Sequence, residues 1–443
     1  MATKTKEELL ADLKILGQQK NEMGLALETF LTDMLDSVET ILGVQILRQT
    51  KFKALVPNTA TKISFVKKTG TDLEEFTKIG YADDKESYIE IWQKGNEFIV
   101  CSDSTIRPDN CKDLFSYRRS LQELNFVNFD TTYSEDMSNM FLQCANITNL
   151  NLVTFDTSKV RTMNNMFGSC TNLEDIDFSS FNTANVENMD NMFYATAFKN
   201  LDFFTLDTTN VKSMKSIFSF SYLESANIKF KGGNLTSCQY MFEQCPSLKN
   251  VQFNWEVNTT KLTNIQAMFR QCTNLEAIDF GNMDTSKVTT FYNCFQKCSK
   301  LSSITPFSTA SATNMSTMFA ECYSFTELDL SFMDTSNVTT FNGFIQKGYG
   351  ADEMLLTTLN LSSFDTSKAK NFGSMFSGCA NLTTIYANDF THGSGNVSSY
   401  DMFANCTSLV GGNGTTYSSS HKDLTYARVD TAETPGYFTA PAA

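Results

Sequence analysis

The pattern of apolar and polar positions divides the chain into three unlike stretches. Thr5-Lys-Glu-Glu8 has the form of a capping box. Behind it Leu9, Leu13, Leu16, Met23, Leu27, Phe30, Met34 and Ile41 recur at alternating three- and four-residue steps, interrupted at Lys20 and Ser37. This spacing predicts a long helix over residues 1–50. Gly17, Gly24 and Gly43 weaken an isolated helix. The apolar stripe therefore needs a partner: copies of itself, a docking surface, or its own domain. From about Lys51 the period falls to two. Lys62 to Val66 reads as a strand, and Tyr88 to Trp92 and Glu97 to Cys101, joined through Lys94-Gly95-Asn96, read as a hairpin. Residues 51–109 are expected to form a β-rich cap on the long central stretch of the chain.

Residues 110–410 repeat one unit. An aromatic pair, usually Met-Phe, recurs from Leu114-Phe115 and Met140-Phe141 to Met375-Phe376 and Met402-Phe403. Twelve copies succeed one another at intervals of 24 to 31 residues, most often 26. Within a copy, as in Met163 to Phe181, two Met three residues apart and a following Phe predict one face of a short helical turn. The Leu173-x-x-Ile176-x-Phe178 stretch then alternates as a strand does. Asp-Thr-Ser segments, at Asp156, Asp284, Asp334 and Asp365, supply short polar side chains suited to turns. No single unit of this size can bury its own apolar face, whereas stacked copies share a core. The expected fold class is α+β: a solenoid of about twelve coils of about 26 residues with parallel strands, preceded by a helix and a small β cap. Residues 411–443, rich in Gly and Tyr at their start, are expected to close the far end.

Composition narrows the chemistry. The chain has 443 residues with 38 Phe and 19 Met but only 2 His, so a His-based triad or multi-His metal site has almost nothing to draw on. With 35 basic and 49 acidic residues the net charge is −14, which disfavours nucleic acid and anionic lipid as general partners. Met1 to Lys20 mixes charges with apolar residues and shows no signal-peptide h-region. No run of 18 apolar residues occurs, so membrane insertion is not expected.

Eight of the twelve Cys lie three residues after the aromatic of a repeat: Cys144, Cys170, Cys245, Cys272, Cys298, Cys322, Cys379 and Cys406. With Phe141, Phe167, Phe242, Phe269, Phe319, Phe376 and Phe403 they are expected to line the interior of the stack as a structural core. Many unpaired thiols point to folding in a reducing cytoplasm. The turn Asp residues offer one carboxylate each, short of what Ca²⁺ requires. No phosphate loop, nucleophile elbow or HExxH is present, so no catalytic residue, cofactor or metal site is expected.

The register Met-Phe-x-x-Cys-x-x-Leu-x-x-Ile-x-Phe-x-x-Phe-Asp-Thr-Ser-Lys-Val resembles the BspA-like leucine-rich repeat family of microbial surface proteins, over about Asn110 to Leu409. The segment from Gly411 to Phe438 also resembles the closing part of such proteins. The resemblance implies adhesion and recognition of host surfaces without catalysis, with a protein or glycan receptor as partner. Combined with the N-terminal reading, it leads to the expectation of a virion component assembled in the cytoplasm, a phage fibre or capsid appendage. Leu9 to Ile41 would then hold a homo-oligomer, a trimer first, or dock on the particle. A bacterial cell-surface adhesin is the alternative, and an intracellular scaffold is a third reading.

Overall fold

The computed structural model describes residues 43–202, 206–231, 233–255, 261–350 and 352–441. The helix expected over Leu9 to Ile41 lies outside the described residues. The described part is mostly β, in small sheets. A helix, α1 (Gln49–Leu55), and a single 3-10 turn at Leu424–Tyr426 are the described helical elements.

The N-terminal sheet contains strands β2 (Lys62–Val66), β3 (Thr77–Tyr81), β4 (Glu90–Lys94), β5 (Glu97–Cys101) and β7 (Glu123–Phe126), in the order β3-β4-β5-β2-β7. The two flanking strands β1 (Val44–Leu47) and β6 (Thr105–Pro108) pair in parallel beside it. The expected hairpin is present: β4 and β5 run antiparallel, turning at Gly95 with φ +59°. The hairpin does not itself cover the first repeat, however. Strand β2 lies between β5 and β7 and pairs in parallel with both, so β2 abuts the repeat and the hairpin extends the sheet beyond it. Phe52 of α1, Phe65 of β2 and Phe115 of the first repeat meet with ring centroids 5.9 Å apart, which joins cap and repeats in one core.

The repeats stack in parallel. Bridges link Asp136 to Thr162, Thr162 to Asn188 and Asn188 to Ser213, and continue by the same step to Ser398. A second set of short parallel pairs forms where the strand-like stretches meet, as in β8 (Asn200–Asp202), β9 (Ser225–Phe230) and β10 (Asn250–Trp255).

The Met-x-x-Met-Phe stretch is not a helical turn. The backbone N–H groups of Met163, Asn165, Phe167 and Ser169 donate to carbonyls of Asn188, Asp190, Met192 and Tyr194 in the following repeat, at 2.7 to 3.0 Å. The N–H groups between them, on Met166, Gly168 and Cys170, close turns onto Met163, Asn165 and Phe167 at 3.0 to 3.1 Å. A helix satisfies its N–H groups internally, four residues back. Here alternate donors serve the neighbouring repeat, and the chain turns corners through left-handed residues, Asn165 at φ 52° and Ser169 at φ 58°. The two Met face inward because they stand at the ends of one turn, a spacing that imitates helical periodicity.

Nine aromatic rings, from Phe115 through Phe141 and Phe167 to Phe295 and Phe319, stack face to face down the interior with centroids 5.4 to 5.9 Å apart. Each fully buried Phe contributes roughly 1.5–3 kcal/mol of burial. The stack breaks at Phe344, which meets Phe319 edge-on at 81°, because Phe344-Ile345 puts an aliphatic residue where the other repeats have the ring. At the far end Tyr417 to Lys422 stands in for a further repeat: the Tyr417 hydroxyl accepts from Asn405 N–H, and the Lys422 carbonyl from Phe403 N–H, both at 3.0 Å.

Candidate recognition surface

The inward side chains are fully used by the fold. Phe141, Phe167, Phe242, Phe269, Phe319, Phe376 and Phe403 are buried, as are the eight repeat Cys. Every one of those thiols donates to a carbonyl of the preceding repeat: Cys144 to Phe115, Cys170 to Phe141, Cys245 to Phe218 and Cys272 to Phe242, at 3.0 to 3.1 Å. Cys298, Cys322, Cys379 and Cys406 repeat the bond at the same length. Burial pushes the thiols of Cys144, Cys245 and Cys406 up to about 12, and that of Cys101 to about 11. Such groups hold their protons and are poor nucleophiles. None of the described Cys forms a disulfide.

In the first repeat the corresponding position holds Arg118. It is 1 % exposed, donates from Nη1 to the Pro57 carbonyl at 2.7 Å, and lies 5.1 Å over the Phe52 ring. Its Nε and Nη2 have no partner among the described residues. Burial without a carboxylate pushes the guanidinium down to about 10.

The Asp-Thr-Ser turns are committed as well. The Asp156, Asp284, Asp334 and Asp365 carboxylates accept from the N–H of Ser158, Ser286, Ser336 and Ser367, at 2.8 to 3.0 Å. Hydrogen bonds from the Ser residues hold Asp284, Asp334 and Asp365 below the usual carboxylate range. The buried Thr between them donates to the next repeat, as Thr157 does to Asn182 and Thr285 to Ser308. No cluster of three or more metal-ligating side chains occurs among the described residues.

The outward face before each aromatic is left over from this internal bonding. Six residues before the ring, from Glu135 to Lys370, stands one polar side chain per repeat, exposed in all but the half-buried Glu187 and held in register by the bridge ladder beside it. Over the first repeats this column alternates in charge. Arg161 and Lys212 both pair with Glu187, and together the two cations, Lys212 first, hold the Glu187 carboxyl below its ordinary range. A shallow depression of about 460 Å³ opens here, lined by Glu135, Lys159, Arg161, Asn185, Glu187, Asn210 and Lys212. Beside it the Tyr133 ring lies 4.2 Å from the Arg107 guanidinium and 4.1 Å from the Lys159 ammonium. Farther along, the same column becomes five threonines. The hydroxyls of Thr236, Thr263, Thr289, Thr313 and Thr339 each donate to the carbonyl of the column residue before, at 2.8 to 3.3 Å.

This column is absent from the core residues that the repeat pattern singles out. Its signal is nevertheless present in the sequence, since the position six before the aromatic reads Asp109, Glu, Arg, Glu, Lys, then Thr five times, then Lys370, and ends at Val397 in the last repeat. An apolar periodicity search passes over it because every member from Asp109 to Lys370 is polar.

Comparison with known proteins bears on the repeats. A family model described as "Mycoplasma protein of unknown function, DUF285" matches residues 109–231, 196–278, 236–357, 263–381 and 300–417. Among solved structures, the chain is similar to a leucine-rich repeat protein from Eubacterium ventriosum at 14% identity, over 79% of this chain and 92% of that one, with a TM-score of 0.32. It is also similar to a TLR13–ssRNA13 complex at 12% identity, over 69% of this chain and 61% of that one, with a TM-score of 0.17. No curated protein matches the chain.

Proposed function

The chain belongs to the DUF285 family of repeat proteins, and on that premise we propose that it is a non-enzymatic recognition protein. Its repeats form a leucine-rich-repeat type solenoid of about twelve coils, and the outward columns of that solenoid bind a protein or glycan on a cell surface. The supporting observation is the division of labour within each repeat. Inward thiols and rings and the turn carboxylates are taken up by bonds within the stack, while a polar column runs along its outside from Glu135 to Lys370. Among the described residues no cluster of three or more metal-ligating side chains occurs, and the repeat thiols are buried.

We assign the carrier as a particle assembled in the cytoplasm, a phage fibre or capsid appendage, with Leu9 to Ile41 as its oligomerising or docking segment. The lack of disulfides among the described Cys supports folding in a reducing compartment. A bacterial cell-surface adhesin is the second reading, favoured by the description of the family as Mycoplasma proteins. Labelled full-length chain titrated onto intact host cells tests the recognition role: saturable binding supports it, and binding that never saturates overturns it. Peptide mass spectrometry of purified particles and cell envelopes separates the two carriers.

A further inference from the structure

The outward face changes character along the stack. In the segments 133–139 and 185–191 it carries Glu135, Asp136, Glu187 and Asp190. In six of the seven equivalent segments beyond the charged stretch, 234–240, 261–267, 287–293, 311–317, 337–343 and 368–374, there is no Asp or Glu, and the seventh, 395–401, carries Asp401. That is unexpected for a chain with 49 acidic residues and a net charge of −14. Over the same segments Lys261, Lys287, Lys368 and Lys370 are exposed. Lys261 and Lys368 donate to the amide oxygens of Asn234 and Asn337, both at 2.7 Å, which holds their ammonium groups against the face. Among the described residues none of the four makes an ion pair, with the turn carboxylates Asp284 and Asp365 lying near Lys287 and Lys368, whereas Arg161 and Lys212 on the earlier stretch both pair with Glu187.

The threonine column beside these lysines is pre-organised. Each hydroxyl proton is spent on the neighbouring repeat, so the oxygen lone pairs and the methyl group are what it offers outward. Acceptors and methyl groups at a fixed step of about 4.8 Å, with ammonium groups alongside, suit an extended chain of linked hydroxyl-bearing rings that advances by a similar step and carries negative charge. We propose that this face binds an acidic polysaccharide laid along the ladder. Its carboxylates or sulfates meet Lys261, Lys287, Lys368 and Lys370, and its hydroxyls donate to the Thr263, Thr289, Thr313 and Thr339 oxygens. The inference rests on the recognition role proposed above and names its ligand class. Nucleic acid is disfavoured because base recognition on a single strand uses a series of exposed aromatic platforms, and along the segments 234–240 to 395–401 Tyr240 and Tyr292 are half-buried and Tyr400 alone is exposed.

The test uses full-length chain with four immobilised probes in low salt: heparin for sulfate, polygalacturonate for carboxylate, dextran as the neutral sugar, and a thymidine oligonucleotide. Binding to heparin or polygalacturonate is expected, with the stronger of the two identifying the anionic group, and with little retention on dextran. The double variant Lys287→Glu/Lys370→Glu should weaken it at least tenfold with an unchanged melting temperature, and Lys159→Glu, on the charged stretch, should leave it unchanged. Failure to bind either acidic polysaccharide, equal loss with Lys159→Glu, or tighter binding to the oligonucleotide overturns the proposal. Saturable cell binding that survives in the double variant would sink this ligand class while leaving the recognition role standing. Polysaccharide binding without any cell binding would do the reverse.

Discussion

The Cys170 thiol lies 3.1 Å from the carbonyl oxygen of Phe141, one repeat earlier, and donates to it across the stack. The thiol thereby links two neighbouring repeats at a carbonyl that also accepts from the Cys144 N–H at 3.1 Å. It also fixes the chemistry of the cysteines, which become weak buried donors with no access to an electrophile.

A first prediction concerns reactivity. Native protein should show negligible labelling of Cys170 and Cys272 by a thiol-specific disulfide reagent near neutral pH, and all 12 Cys should react once the chain is unfolded. Rapid native labelling of the repeat thiols would contradict the packing. Stability should fall in alkali by the same cause. Burial raises the folded thiols above the usual value near 9, to about 12 at Cys144 and Cys245, so from about pH 9 upward the unfolded chain loses protons that the folded chain keeps. Each such thiol adds a slope of up to about 1.4 kcal/mol per pH unit against the folded state until its own folded value is reached. Denaturant titrations between pH 8 and 11 measure it.

The turn geometry gives a second prediction. Gly378 has φ +83°, and a Cβ there would lie 2.7 Å from Cβ of Lys347, so Gly378→Ala should cost about 1–2 kcal/mol. Ala195 occupies the equivalent left-handed position at φ 53°, and Ala195→Gly should stabilise by about 0.5–1 kcal/mol. A helical segment would show the opposite signs, since glycine is the poorer helix former. Urea unfolding of the two variants decides between them.

The repeat was legible from the sequence because its interior is written in a few residue types at a fixed step, as at Met166, Phe167, Cys170 and Leu173. The conformation of Met163 to Phe167 was not. Two inward residues three apart fit a helix and a turn equally well, and the choice depends on whether Asn165 and Phe167 donate within the repeat or to the next one, which only the stacked neighbour decides. Strand β2 was read as a strand, but its place against β7 depends on parallel pairing between Lys62 and Glu123, far apart in the chain. The outward column escaped because Thr263, Thr289 and Thr313 carry no hydrophobic period to detect.

Arg118 supplies a third prediction. Two of its guanidinium nitrogens are buried without partners among the described residues, while eight of the eleven later repeats place a small thiol at that position. Replacing a buried, uncompensated charge with an apolar side chain of similar length is commonly neutral or stabilising by about 1–4 kcal/mol. Arg118→Met should therefore keep or raise the melting temperature, and a marked drop would show that the contact with Pro57 outweighs the desolvation.

The C-terminal closure gives a fourth. The Asp430 carboxylate accepts from the N–H groups of Asn413, Thr415 and Gly436 and from the Thr415 hydroxyl, at 2.6 to 3.2 Å. Burial alone would raise it, but these bonds outweigh burial and hold it below the usual carboxylate range. The contribution is therefore present above the unfolded value near pH 4 and is lost as pH falls through the lower folded value. Asp430→Asn should cost about 1.5–3 kcal/mol, and should speed proteolysis or hydrogen exchange first in residues 411–438. Uniform destabilisation of the whole stack would contradict a local closing role.

The central claim is that the repeats stack in parallel and in register, so that one outward position forms a single column. Spin labels on Thr236→Cys/Thr339→Cys test it directly, with the native thiols too deeply buried to take label. Those two residues are separated by four steps of the ladder, through Thr263, Thr289 and Thr313. At one strand spacing per step, a narrow distance distribution centred near about 19 Å is expected between the two positions. A broad distribution, or a maximum well beyond that distance, would contradict in-register stacking and with it the column on which the proposed recognition rests.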